Sequence, residues 1–226
     1  MNIKSFGSSS KGNCIIANSI MLDCGISPDI VLKGSDFENP QAILITHSHQ
    51  DHCKYVKQWI GKGVEVFASR GTFAELNISG AFCNVVKDGD WFVAGDVLVY
   101  AYASEHDTSE PLNYIIDFSE NERLCYSIDT RTILQKLDGI THFLTECNYS
   151  HDCLEKAIEN GVTSVFNAER IRKYHKSLES LLQELSRMDL QKLQEIWLLH
   201  ISDRNSDEKL FKETIQKQTG CIVFVA

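Results

Sequence analysis

Proline is scarce in this chain, with three in 226 residues. No Pro/Gly-rich stretch, internal repeat or low-complexity tract divides it either. That excludes a flexible linker between modules and predicts a single domain over residues 1–226, long enough to bury a substantial core. Positive charge is in deficit. The chain has 22 Lys and Arg against 31 Asp and Glu, a net charge of −9. Proteins that coat nucleic acid through charge alone are usually basic, so a duplex-wrapping role is disfavoured. No apolar run approaches the ~20 residues of a membrane-spanning helix, and no membrane partner is expected. There is no CxxC pair among the eight cysteines, Cys14, Cys24, Cys53, Cys83, Cys125, Cys147, Cys153 and Cys221. No signal peptide is read at Met1-Asn2-Ile3-Lys4. The thiols are therefore expected to be free in a reducing, cytoplasmic setting.

Against these absences stands one dense stretch, Thr46-His47-Ser48-His49-Gln50-Asp51-His52. It follows the apolar run 42–45, which reads as a short buried strand. His47, His49, Asp51 and His52 fall within six residues. Neutral imidazole and carboxylate suit zinc and similar divalent ions, and a strand end holds them rigidly while leaving room for substrate. Cys53 adjoins the cluster but reads as core packing at the start of the next helix.

The flanking pattern is a mixture of strands and helices. A first strand over 1–6 leads into the Gly/Ser loop 7–13 and a hairpin of 14–17 with 20–22. A helix is expected from Ser27-Pro28 to about Gly34, and another from about Asp51 to Ile60. Strand 64–67 and a short helix over 71–76 follow. The middle reads as consecutive strands at 84–87, 91–93, 96–103, 112–118 and 123–128. Hairpin turns are expected at Asp88-Gly89-Asp90 and Ala94-Gly95-Asp96. Helices are then expected at 130–136, 150–160, 177–188 and 206–218, with strands at 141–145, 162–166, 196–200 and 221–225. The pattern suggests sheet packed on sheet with helices outside.

Further ligand-type residues lie just past apolar strands: His106 after 96–103, Asp129 after 124–128, Glu146 after 142–145 and His200 after 196–199. Side chains at the ends of strands in one sheet can converge on one edge. Asp23, in Leu22-Asp23-Cys24-Gly25, reads equally as a turn residue or as a carboxylate that orients a metal-bound histidine. The run Arg170, Arg172, Lys173 and Lys176, with Arg204 further on, reads as either a solvated basic face or a phosphate clamp beside His175.

The HxHxDH pattern at 47–52, with Asp23, His106, Asp129 and His200, resembles the metallo-β-lactamase superfamily over essentially the whole chain. The resemblance implies an αββα four-layer sandwich of mixed sheets with helices on the outer faces. It also implies a centre of two divalent ions, in which His47, His49 and His106 hold the first, Asp51, His52 and His200 hold the second, and Asp129 bridges. Zinc is the expected metal, with manganese and iron also suited to these ligands. Two such ions about 3.5–4 Å apart share a hydroxide that serves as nucleophile at neutral pH. Leu199-His200-Ile201-Ser202, Thr145-Glu146-Cys147-Asn148 and His175-Lys176-Ser177 look like segments of ribonuclease Z. There the histidine at the position of His175 would protonate the leaving oxygen and the glutamate at the position of Glu146 would orient it. The opening Phe6–Cys14 and the loop Glu105–Pro111 resemble small bacterial exonucleases of the YycJ type. Together these imply a phosphodiesterase, a nuclease on DNA or RNA. Hydrolysis of small or cyclic nucleotides is the first alternative, and of an ester, lactam or thioester the second. Members of the family often form homodimers.

Overall fold

The computed structural model describes residues 1–36, 38–133 and 137–226. They form two compact units, Met1–Glu122 and Arg123–Ala226.

In the first unit six strands make one mixed sheet. They are β1 (Ile3–Ser9), β2 (Gly12–Ala17), β3 (Ile20–Leu22), β4 (Ala42–Leu44), β5 (Glu65–Ala68) and β6 (Cys83–Val85), lying in that order. The pairs β1–β2 and β2–β3 are antiparallel. The pairs from β3 to β6 are parallel, with Leu22 opposite Leu44 and Leu44 opposite Phe67. Parallel neighbours need crossover connections. Helices supply them: α1 (Pro28–Gly34), α2 (Gln50–Cys53), α3 (Val56–Gly61) and α4 (Arg70–Leu76). Every residue of β3 and β4 is buried, which is why these strands read as unbroken apolar runs rather than alternating ones. Met21, Ile43, Val56, Trp59 and Val66 share one apolar core. Pro28 opens α1 as expected, in the turn where its missing N–H costs nothing.

An antiparallel set follows in the same unit: β7 (Trp91–Ala94), β8 (Val97–Ala103) and β9 (Leu112–Ser119). Gly95, at φ +61°, forms the expected tight turn between β7 and β8. The turn at Asp88–Asp90 does not join a hairpin, because β6 belongs to the first sheet and β7 to this set. The segment lies along β8 instead. Gly89 N–H donates to the Ala101 carbonyl at 2.9 Å, and Asp88 Oδ1 accepts from Ala103 N–H at 2.9 Å.

The second unit holds four parallel strands, β10 (Glu122–Ser127), β11 (His142–Glu146), β12 (Glu195–Leu199) and β13 (Ile222–Val225). Its helices are α5 (His151–Glu159), α6 (Val165–Tyr174), α7 (Leu178–Leu185) and α8 (Glu208–Thr219). Each has a side-chain N-cap: Ser150, Ser164, Ser177 and Asp207 accept from the amide three residues on.

Three further sequence expectations fail. The helix expected over 51–60 is two helices, because the Tyr55 amide turns aside to the Cys24 carbonyl at 3.2 Å. The strand expected at 162–166 does not form. Val162 and Thr163 close α5 through the Ala157 carbonyl, and Ser164 caps α6. Of the helix expected over 130–136, residues 130–133 are not helical and 134–136 lie outside the described residues.

Candidate active site

In the first unit the end of β4 delivers the histidine-rich turn, and Asp23 lies beneath it. Asp23 follows β3 with a left-handed backbone, φ +58°. Aspartate tolerates that conformation better than most residues. Its fully buried carboxylate accepts from Thr46 N–H at 2.8 Å and Thr46 Oγ1 at 3.0 Å. The other oxygen lies 2.7 Å from His52 Nδ1. A buried carboxylate there holds the proton on Nδ1 and leaves the Nε2 lone pair outward. Thr46 Oγ1 also lies 3.0 Å from His47 Nδ1, which orders that ring in the same way.

Three ring nitrogens then converge. His49 Nδ1 is 3.1 Å from His47 Nε2 and 3.1 Å from His106 Nε2. Zn–N bonds near 2.0–2.1 Å at tetrahedral angles put ligand atoms roughly 3.3 Å apart. The spacing therefore fits three ligands of one ion, and three imidazoles cannot all satisfy one another by hydrogen bonding. Asp51 Oδ2 and His52 Nε2 form a second pair, 3.5 Å apart. The Asn13 side-chain amide reaches both, at 3.2 and 2.9 Å.

Loop anchors set these positions. Glu75 accepts from Ser48 Oγ in the histidine turn and, at 3.1 Å, from Ser109 N–H in the His106 loop. Gly71 N–H donates to Glu110 Oε2 at 2.7 Å. Gly25 packs directly against α2: a Cβ there would lie 1.7 Å from the Asp51 carbonyl oxygen. Cys53 is buried in the core, with Sγ 3.0 Å from the carbonyls of Ser48 and His49, so it packs as expected.

The second unit carries its own cluster at the ends of β10, β11 and β12. Asp129 and His200 both have left-handed backbones, φ +46° and +51°. His175 Nδ1 lies 2.6 Å from Glu146 Oε1 and 3.3 Å from Asp129 Oδ1. His200 Nδ1 is 3.2 Å from each of Asp129 Oδ1 and Glu146 Oε1. Ligand atoms of all four residues lie within 4.8 Å of one another, so this group too could hold an ion. The 2.6 Å contact is shorter than two ligands of one ion adopt, and it is a charged hydrogen bond. Burial disfavours the charged His175 ring, but Glu146 and Asp129 prevail and raise its pKa to about 10. Burial likewise works against the Glu146 carboxylate, yet the neighbouring His175 charge lowers its pKa. His200 is raised despite its burial, by Asp129 and Glu146. The cluster thus favours the charged form of the His175 ring, with Nδ1 facing Glu146 and Asp129.

His175 also borders a cavity of about 270 Å³, together with Thr163, Asn167, Arg170, Ile171, Arg204 and Asn205. Two members of the basic set therefore share a cavity with His175. The others do not. Arg172 pairs with Glu155, and Lys173 lies 4.8 Å over the Tyr174 ring. Lys176, expected to bind phosphate, is instead fully buried, with Nζ 2.7 Å from Glu184 Oε2 and 3.3 Å from Thr145 Oγ1.

No family model matches the chain. The metallo-β-lactamase fold protein YhfI from Bacillus subtilis superposes over 99% of this chain and 95% of its own, with TM-score 0.69 and 11% identity. A diphosphatase of the PhnP family superposes over 99% of this chain and 93% of its own, with TM-score 0.66 and 13% identity. The chain has the metallo-β-lactamase fold. Among sequence relatives, exodeoxyribonuclease YycJ of Bacillus anthracis is 24% identical over 83% of this chain and 87% of its own length. Ribonuclease J of Sinorhizobium meliloti is 31% identical over 43% of this chain, and the match spans 21% of that enzyme. The resemblance read from the sequence holds at the level of this fold.

On this metallo-β-lactamase scaffold, the expected residues His47, His49 and His106 come together in one unit, as do Asp51 and His52. Asp129, Glu146, His175 and His200 come together in the other. Sequence reasoning missed Asn13, Thr46, Glu75 and Asp107. Asp107 Oδ1 lies 3.3 Å from His106 Nε2. Asn13 and Asp107 both lie inside segments quoted for the resemblance, so their positions were marked although their roles were not. Glu75, on α4, carries no local signal.

Proposed function

We propose that the protein is a two-metal-dependent phosphodiesterase acting on DNA or RNA. The observation that carries this reading is the Glu146–His175 charged pair beside a cavity lined by Arg170 and Arg204. A lactam or ester hydrolase has no need of two guanidinium groups there, whereas a phosphodiester does. The relative named as an exodeoxyribonuclease, matched over most of both chains, supports nucleic acid as the substrate class.

In this reading His47, His49 and His106 would hold one ion, Asp51 and His52 would supply ligands to another, and Asp129 and His200 are the metal-ligand candidates of the second unit. The 3.1 Å spacing of the first three and the tautomer imposed by Asp23 on His52 support the assignment. Bound divalent ions would supply an activated water and neutralise charge developing on the phosphoryl oxygens. His175 gives its Nε2 proton to the leaving oxygen, and Glu146 holds the ring in place and charged. Asp23 and Thr46 keep His47 and His52 in the tautomers that ligands need. Arg170 and Arg204 neutralise substrate phosphate.

The test is hydrolysis by protein reconstituted with zinc, manganese or iron. The substrates are bis-p-nitrophenyl phosphate, 5′-phosphorylated single- and double-stranded DNA, RNA and cyclic mononucleotides. Cleavage of polynucleotide is expected, with His175→Ala lowering kcat while metal content stays constant. No phosphodiester cleaved with metal fully bound would overturn the proposal. The net charge of −9 favours a second reading, a small-nucleotide phosphodiesterase. Salt separates the two, because polynucleotide cleavage weakens steeply with ionic strength and small-nucleotide turnover does not.

A further inference from the structure

The α6 helix carries a feature that phosphate chemistry does not explain. Asn167, Arg170 and Ile171 follow helical spacing along the face that lines the His175 cavity, and Thr163 borders the cavity from just before the helix. Phe166 sits four residues before Arg170 and one before Asn167, so it flanks that face. It is 77% exposed, and Val165 beside it is 62% exposed. Ser164 fixes this start of the helix by capping Asn167 N–H at 3.2 Å. Behind the rim the cavity is built from a bonded network. Thr163 Oγ1 donates to Asn205 Oδ1 at 2.8 Å, and Asn205 Nδ2 donates to Ser202 Oγ at 3.0 Å. None of the seven lining residues is acidic.

We infer that this face binds one nucleotide of a single strand, with its phosphate on Arg170 and Arg204 and its base stacked on Phe166. The inference rests on the phosphodiesterase reading and deepens it by naming a residue that selects the substrate. A guanidinium pair recognises any phosphate, whereas an exposed aromatic ring beside it recognises a flat base and tolerates every sequence. Because His175 borders the same cavity, the bound nucleotide is the one on the leaving side of the scissile bond. Duplex DNA keeps its bases stacked inside, so the face favours single strands or frayed ends.

The test is equilibrium binding to the metal-free full chain in chelator. A fluorescein-labelled thymidine hexamer is compared with an abasic hexamer of the same phosphate count. Phe166→Ala is expected to weaken the thymidine oligomer on the order of tenfold without changing the abasic one. Arg204→Ala is expected to weaken both and to flatten the salt dependence. Phe166→Trp should restore affinity and show emission quenched by the thymidine oligomer only. Phe166 is exposed, so these substitutions do not disturb the core. The inference is overturned if Phe166→Ala changes both oligomers equally, changes neither, or if the wild type binds neither. Base-dependent binding without cleavage by the metal-loaded enzyme would defeat the nuclease reading and leave this inference standing. Cleavage without any Phe166 dependence would do the reverse.

Discussion

Asp23→Asn is nearly isosteric, yet it reverses the hydrogen-bond polarity under the histidine turn. The native carboxylate only accepts. One oxygen serves Thr46 N–H at 2.8 Å and the other faces His52 Nδ1 at 2.7 Å. In the amide, the oxygen must take the Thr46 side, because an NH₂ there would oppose a donor. The NH₂ then faces His52 Nδ1, which has to accept. The imidazole proton moves to Nε2, the nitrogen that an ion needs. Loss of a partner that orients a ligand histidine typically costs 10–100-fold in metal affinity, about 1.4–2.7 kcal/mol. Competition of the metal-free variant against a chromogenic zinc chelator should show one weakened site, with circular dichroism as the folding control. Nitrogen-15 spectra of His52 should show the tautomer exchanged. Wild-type zinc affinity at every site, with the His52 proton still on Nδ1, would refute the argument.

Four further outcomes are expected. Lys176→Ala strands the Glu184 carboxylate, only 13% exposed, and should lower stability by about 3–5 kcal/mol in urea unfolding; a loss below about 1 kcal/mol would show that the ammonium is not held there. Gly25→Ala places a methyl 1.7 Å from the Asp51 carbonyl oxygen and should lower metal content after purification, read by elemental analysis; full content would contradict the packing. At pH 8 without denaturant, alkylation followed by mass spectrometry should modify at most Cys83 and Cys153. The other six thiols are buried, and burial pushes Cys53 up to about 12. In the metal-free protein, the raised His175 pKa adds stability that is whole below its ordinary value of about 6.5 and lost as pH climbs through about 10. The Tm should therefore fall on that alkaline side, and Glu146→Gln should flatten the fall.

Much of the scaffold was legible because its signals are local. The buried run 42–45 followed at once by ligand-type residues marks a strand end, and β4 ends at Leu44. Pro28 after Ser27 and the turn at Gly95 each act within a few residues. What stayed hidden depends on partners far along the chain. Lys176 reads as one more surface cation until Glu184 and Thr145 are seen around it. Glu75 reads as an ordinary helix carboxylate, yet it ties the turn at Ser48 to the loop at Ser109. The helix expected over 51–60 broke because of a hydrogen bond to Cys24, about thirty residues away.

The misread segment 162–166 is the most instructive. Val162, Thr163, Val165 and Phe166 look like a strand because β-branched and aromatic residues usually mean burial against a sheet. Here Val162, Val165 and Phe166 are exposed, and Ser164 turns the chain into α6. Apolar periodicity predicts structure only where apolar residues go inside. Natural chains depart from that rule mostly where a surface has work to do. The departure lies on the helix that also presents Arg170 to the His175 cavity. A stabilising purpose would predict that Phe166→Ala lowers Tm. A recognition purpose predicts unchanged Tm and weakened binding to base-bearing strands, and the exposure of the ring favours the second.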